Sequence, residues 1–249
     1  MNPLARKFFE ESICRFVSDE PNAKWEDLPG LPKGWFELSR LSPEDRIEFT
    51  RDFWLDQMPY HPSAHPAFFQ FFDALDDVAV VAVRPDKSDQ FVAELVYSLA
   101  DNSSFFRGRP GASEMEIEAL KLELGIVLPH DYLSFMRIHN GFGKLSEMGM
   151  IEIGEISHAK RRVMDLVLQA DMTVDPGSLI PFYETLGLAS FQCFYLDWYP
   201  GSEMGNVYLS GIDYILSDVA DKKSWAENLA FPTFSEWLAQ YLEGMNLCI

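Results

Sequence analysis

Between Ser113 and Gly141 the chain carries start and stop signals for two successive helices, and no other stretch constrains the fold as tightly. Ser113-x-x-Glu116 is a capping box: the serine hydroxyl meets the third helical N–H while the glutamate reaches back to the cap's own N–H. Ile117, Leu120 and Leu124 follow at helical spacing, and Gly125 supplies a left-handed stop. Leu128-Pro129-His130-Asp131-Tyr132 opens the second helix with a proline, whose missing N–H is harmless in a first turn. Phe135, Met136 and His139 continue it to Asn140-Gly141, residues that tolerate the conformation ending a helix.

Downstream, residues 150–156 read as a strand and 157–171 as a helix with Met164, Val167 and Leu168 inward. Residues 179–182, 188–197 and 206–210 read as strands, 212–216 extends the sheet, and 201–205 is a turn between two of them. Thr233-x-x-Glu236 is another capping box, leading into Phe234, Trp237, Leu238, Tyr241 and Leu242 before Gly244. Two helices, a sheet and a closing helix make an α+β domain.

The first hundred residues read as mainly helical. Leu4, Phe8, Phe9, Ile13, Phe16 and Val17 form one apolar stripe at helical spacing. Ser42-Pro43-Glu44-Asp45 is a helix start, continued by Ile47, Thr50, Phe53, Trp54 and Met58, and 67–75 gives a Phe-rich helix. The short β-branched run 78–83 is a buried strand, and Phe91, Leu95, Val96 and Leu99 favour a helix over 90–100. The polar, Gly- and Pro-punctuated stretch 101–113 marks the boundary. Residues 1–106 are therefore expected to form a mainly helical region of unknown type, and 107–249 a second domain.

Charge narrows the partner class. Against 20 Lys and Arg stand 39 Asp and Glu, a net charge of −19, and residues 163–249 alone hold two basic and twelve acidic side chains. Such a chain repels phosphate backbones and anionic headgroups, so neither nucleic acid nor a membrane surface is expected as partner. With 47% apolar residues it can still bury a sizeable core. Cys14, Cys193 and Cys248 are odd in number and far apart, which yields no disulfide framework, CxxC pair or zinc ribbon. The first sixteen residues interleave Arg6, Lys7, Glu10 and Glu11 with apolar positions, unlike a signal peptide. The longest aliphatic run, 78–83, falls far short of the roughly twenty residues that span a bilayer. The expectation is a soluble, cytoplasmic protein.

With these residues in place a likeness emerges. The run from Gly111 to Gly143 resembles the opening of the SUKH superfamily, the Smi/Knr-like domains, through Gly125, Leu128, Pro129, Asp131, Tyr132, Asn140 and Gly141. Ile180-Pro181-Phe182 with the following strand ending at Asp197 is similar to a later family segment, and Phe231, Phe234, Trp237 and Leu238 to its terminal helix. The resemblance covers about residues 107–245 and implies a mostly antiparallel sheet flanked by helices. It also implies a non-enzymatic binding module, either a toxin-immunity protein or a scaffold in cell-wall signalling. It offers no catalytic residues, no cofactor and no metal.

Motifs of chemistry are weak throughout. His61 and His65 share the spacing of a helical metal pair, yet Pro62 and Pro66 would break that helix, so a Pro-rich loop fits better. Gly141-Phe142-Gly143-Lys144 lacks the gap and the Ser/Thr of a phosphate loop, and Gly201-Ser202 lacks the spacing of a nucleophile elbow. Asp86-Lys87-Ser88-Asp89 is too short for a calcium loop, and Lys160-Arg161-Arg162 fits a solvated helix face. The remaining candidate is a partner-binding segment of rings and acids: Tyr195, Asp197, Trp198, Tyr199 and Glu203. Strand alternation would set Tyr195, Asp197 and Tyr199 on one side, although burial is the commoner fate of a tryptophan. The expected function is immunity-type capture of a basic partner such as a nuclease toxin; a signalling scaffold is the alternative, and an unrecognised enzyme the second alternative.

Overall fold

The aliphatic run at 78–83 lies in β2 (Leu75–Arg84), a strand whose centre is buried on both faces. The structure is a computed structural model, described here for residues 1–10, 13–84, 91–101, 104–145, 147, 149–170, 172–185, 188–220, 222 and 227–244. β2 pairs antiparallel with β1 (Ile13–Phe16) and β3 (Val92–Leu99). β4 (Phe105–Gly108) joins β3 to β5 (Phe142–Lys144), giving a five-stranded antiparallel sheet in chain order.

Alternation sorts its side chains between two layers. Ala79, Val81, Val96 and Phe105 point towards α1 (Pro3–Glu10) and meet Ala5 and Phe9. Val78, Val80, Leu95, Tyr97 and Phe106 face the main core. That core also takes side chains from α3 (Pro43–Gln57), α4 (His65–Asp73), α6 (His130–Ile138) and α8 (Phe234–Glu243). Two further helices, α2 (Lys33–Leu38) and α5 (Glu114–Leu124), send Leu38 and, from α5, Ile117 and Leu120 into it.

A second antiparallel sheet runs β6 (Leu179–Thr185), β7 (Ser190–Tyr195), β8 (Asn206–Ser210), β9 (Ile215–Leu216). Its one face receives Val163 and Val167 of α7 (Ile156–Gln169); its other sends Ile180, Phe182 and Phe194 into the main core. The α+β class expected from the sequence is the class observed. No described helix is long and apolar enough to cross a membrane.

Several local expectations are corrected. Within the stretch expected as a helix, Val92–Leu99 form strand β3: Ala93, Leu95, Tyr97 and Leu99 face the main core while Val96 packs under α1. An apolar residue on the second buried face fills the gap in a two-residue period and so imitates helical spacing. The stripe from Leu4 ends with α1, because Ile13–Phe16 find backbone partners along the edge of β2. Residues 150–156 are no strand beyond the single bridge of Met150 to Tyr183; the side chain of Asn140 takes the N–H of Ile153 at 2.8 Å and a short 3₁₀ turn leads into α7. On α7, Leu168 is exposed, about 100° round the helix from Val167 and about 140° from Val163. α6 ends at Ile138 with His139 already extended (φ −138°), so the left-handed stop expected at Asn140-Gly141 is not what ends it; Gly141 (φ 102°) lies beyond, and the next three residues form β5, which the phosphate-loop comparison had passed over.

The division at 106/107 falls inside β4, a strand hydrogen-bonded on one side to β3 and on the other to β5. Both halves of the chain thus share one sheet. Cys14 donates its thiol to the Phe9 carbonyl, and Cys193 is a buried thiol whose ionisation burial pushes up. Cys248 and the stretch Asp86-Lys87-Ser88-Asp89 lie outside the described residues.

Candidate functional site

The ring-and-acid segment after β7 is put to several uses. β7 ends at Tyr195, so strand alternation does not extend to Asp197 and Tyr199. The chain turns instead: Trp198 N–H donates to the Tyr195 carbonyl and Gly205 N–H to the Trp198 carbonyl, both at 3.0 Å. Trp198 is 8% exposed and lies against Gly205, where an added Cβ would sit 2.3 Å from the indole. Glu203 accepts the backbone N–H of His130 at 3.1 Å, placing a carboxylate at the positive end of α6. Asp197 and Tyr199 face solvent, and Tyr195 is half-buried. Only part of the segment is free to meet a partner.

The motif residues that carry the likeness hold the fold together. Ser113 and Glu116 form the full capping box of α5, and Gly125 (φ 66°) ends it. Asp131 accepts from the backbone N–H of Ser235 at 2.8 Å and from its hydroxyl at 2.9 Å, fastening the start of α6 to the start of α8. Tyr132 is fully buried beside Phe194 and Phe234, with ring centroids 5.0 and 5.3 Å away. Asp131 and Ser235 also line an open cavity of about 190 Å³ with His61, His130 and Glu203; among the described residues no three His, Cys, Asp or Glu could hold a metal ion. His65 begins α4, and its Nδ1 accepts the His61 N–H at 3.1 Å.

A more coherent face is built on α3. Ser42 caps it by accepting the Asp45 N–H, Pro43 fills the first turn, and Glu44 and Asp45 suit its positive end. That start sets the phase of the helix. Arg46, Thr50 and Trp54 turn inward, and the Arg46 guanidinium grips Asp77 of β2 at 2.6 and 3.0 Å in a buried pair. Asp45, Glu48, Phe49, Asp52, Phe53 and Asp56 turn outward. Phe49 is 62% and Phe53 42% exposed, large apolar areas for side chains at i and i+4 amid carboxylates. The sequence reading named Phe53 with Ile47, Thr50, Trp54 and Met58 as continuing the helix and assigned no faces; helical spacing from Trp54 and Thr50 was the signal that could have separated it.

Behind Phe49 and Phe53 opens a cavity of about 230 Å³ between α3 and α2. Trp35 and Leu38 of α2 form the far wall, and Gly34 stands at the margin with open space around it. Leu95, Tyr97, Trp54 and His139 form the floor. Their polar atoms make a closed relay. His139 Nδ1 lies 2.8 Å from the Arg109 carbonyl, so it carries the proton; Nε2 then accepts from the Tyr97 hydroxyl at 2.6 Å, which accepts from Trp54 Nε1–H at 3.1 Å. Burial keeps the imidazole neutral, lowering its pKa to about 4, and pushes the Tyr97 phenol up. Thr50 differs. It is 4% exposed and lines the cavity, and its hydroxyl has no hydrogen-bond partner.

No curated protein matches the chain. Residues 111–240, just over half of the chain, match the SMI1 / KNR4 family (SUKH-1). The matched stretch runs from the capping box of α5 through the Asp131–Ser235 fastening to the middle of α8. The two helices, the second sheet and the closing helix are thus one family unit, and the chain belongs to the SMI1 / KNR4 family.

Proposed function

We propose that this protein is a non-enzymatic, cytoplasmic binding module of the immunity type, which covers a basic protein such as a nuclease toxin with an acidic surface. The observation that carries the reading is the outer face of α3, where four carboxylates flank two exposed phenylalanines on a chain of net charge −19. Carboxylates at such a face steer a cationic partner, and aromatic rings supply contact area with few rotors to immobilise. The family assignment supports the same reading, since it fits an immunity-type or a cell-wall-related protein.

A second reading, a regulatory scaffold of the cell-wall-signalling type, draws on the same region, since residues 1–106 hold α3 and lie outside the family match. Capture from native lysate at low and high salt separates the alternatives. The proposal expects one basic protein, retained at low salt and released at high salt, whose nuclease activity the purified chain blocks. Retention of a signalling enzyme with no effect on nucleic-acid cleavage favours the scaffold. Turnover of a metabolite with no protein partner overturns both.

A further inference from the structure

We propose that the cavity behind α3 is a socket for one aromatic side chain, tryptophan or tyrosine, carried on a Lys/Arg-rich segment of the partner; this rests on the acidic-surface reading above. Size argues first. At about 230 Å³ the cavity is smaller than the roughly 300–1,000 Å³ clefts that engulf a drug-sized ligand, and it suits a single large side chain. The lining argues next. Trp35, Leu38, Leu95 and Trp54 offer apolar and aromatic walls, while the relay through Tyr97 and His139 is already satisfied and asks nothing of a guest.

One polar group does ask. Thr50 lines the cavity, and its hydroxyl is almost wholly buried and has no partner, an arrangement that is unfavourable while it stays unmatched. An indole N–H or a phenol O–H is a ring with a polar tip, and such tips find a hydrogen bond when buried. The rim argues last. Phe49 and Phe53 edge the opening and are themselves edged by Glu48, Asp52 and Asp56; Arg51 pairs with Asp52 at 3.0 Å and Glu48 at 3.7 Å, so the residues flanking the anchor meet a net negative charge that is partly offset. The structure thus assigns a motif of cation, aromatic, cation to this face.

The probes are three capped tripeptides, Lys-Trp-Lys, Glu-Trp-Glu and Lys-Ala-Lys, titrated into the full chain and followed by methyl NMR of Leu38, Leu95 and Thr50. The expected result is saturable shifts at these methyls with Lys-Trp-Lys, affinity about tenfold weaker for Glu-Trp-Glu, and no shifts at them with Lys-Ala-Lys. Gly34→Leu fills the opening without a backbone clash and should abolish the shifts while leaving the thermal midpoint unchanged or raised. Thr50→Val keeps the shape, removes the hydroxyl and should weaken binding several-fold. Equal binding of both tryptophan peptides overturns the proposal in favour of a neutral small-ligand site, and no shifts with any peptide overturns it outright. If Gly34→Leu still captures the basic partner as well as the parent chain does, the socket falls and the acidic-surface reading stands; if no basic partner is captured by either chain, that reading falls with it.

Discussion

Two segments combine rings with carboxylates, and the fold treats them in opposite ways. After β7, Trp198 is closed against Gly205, Glu203 caps α6, and only Asp197 and Tyr199 remain outward. On α3, Trp54 is likewise buried, but Phe49 and Phe53 stay in solvent beside an outward row of acids. In the turn, each residue answers to a different local need, so composition is divided among capping, packing and exposure. In the helix, a 3.6-residue period sorts the same residue types cleanly into an anchored face and an open one. Rings exposed without a packing role mark a surface that something else covers.

Stability measurements break this comparison most forcefully. Trp198→Ala should cost about 3–5 kcal/mol in chemical denaturation, as a buried tryptophan does, whereas Phe49→Ala should stay within about 0.5 kcal/mol. Equal losses would show that the α3 rings are structural. Next comes His139 beneath the α3 cavity. Its folded pKa of about 4 lies below the ordinary 6.5, so its contribution is complete above pH 6.5 and is lost as pH falls towards 4. That loss amounts to about 3 kcal/mol. His139→Gln should remove this component from the pH–stability curve, and an unchanged curve would show that the imidazole does not stay neutral. A smaller effect belongs to Asp131→Ala, which leaves the Ser235 N–H and hydroxyl unmatched at the start of α8 and should cost about 1–3 kcal/mol.

Much of this fold was legible in the chain because helix ends write themselves in local chemistry. Ser42, Ser113, Thr233 and Gly125 act within a few residues of themselves, so their caps and stops stand where they were expected. β3 was hidden for the opposite reason. Its two buried faces are specified by α1 and by the main core, elements distant in sequence, and Val96 blurs the alternation that a one-sided strand displays. The ring-and-acid segment after β7 was half legible. Rings and acids are visible at 195–203, but the indole is claimed by Gly205, a close approach that no spacing announces. The α3 cavity was not legible at all, since Gly34, Thr50, Tyr97 and His139 come together only through the shared sheet.

Binding measurements sharpen the comparison further. Asp197→Asn with Tyr199→Ala, the outward part of the turn, should change affinity for the basic partner by no more than about 0.5 kcal/mol. The most direct test is the salt dependence of that affinity in the parent chain and in the triple variant Glu48→Gln/Asp52→Asn/Asp56→Asn, which leaves the Ser42–Asp45 cap intact. The account predicts weaker binding and a shallower fall of affinity with salt in the variant, at unchanged thermal stability. Identical affinities and identical salt slopes in the two proteins would contradict it.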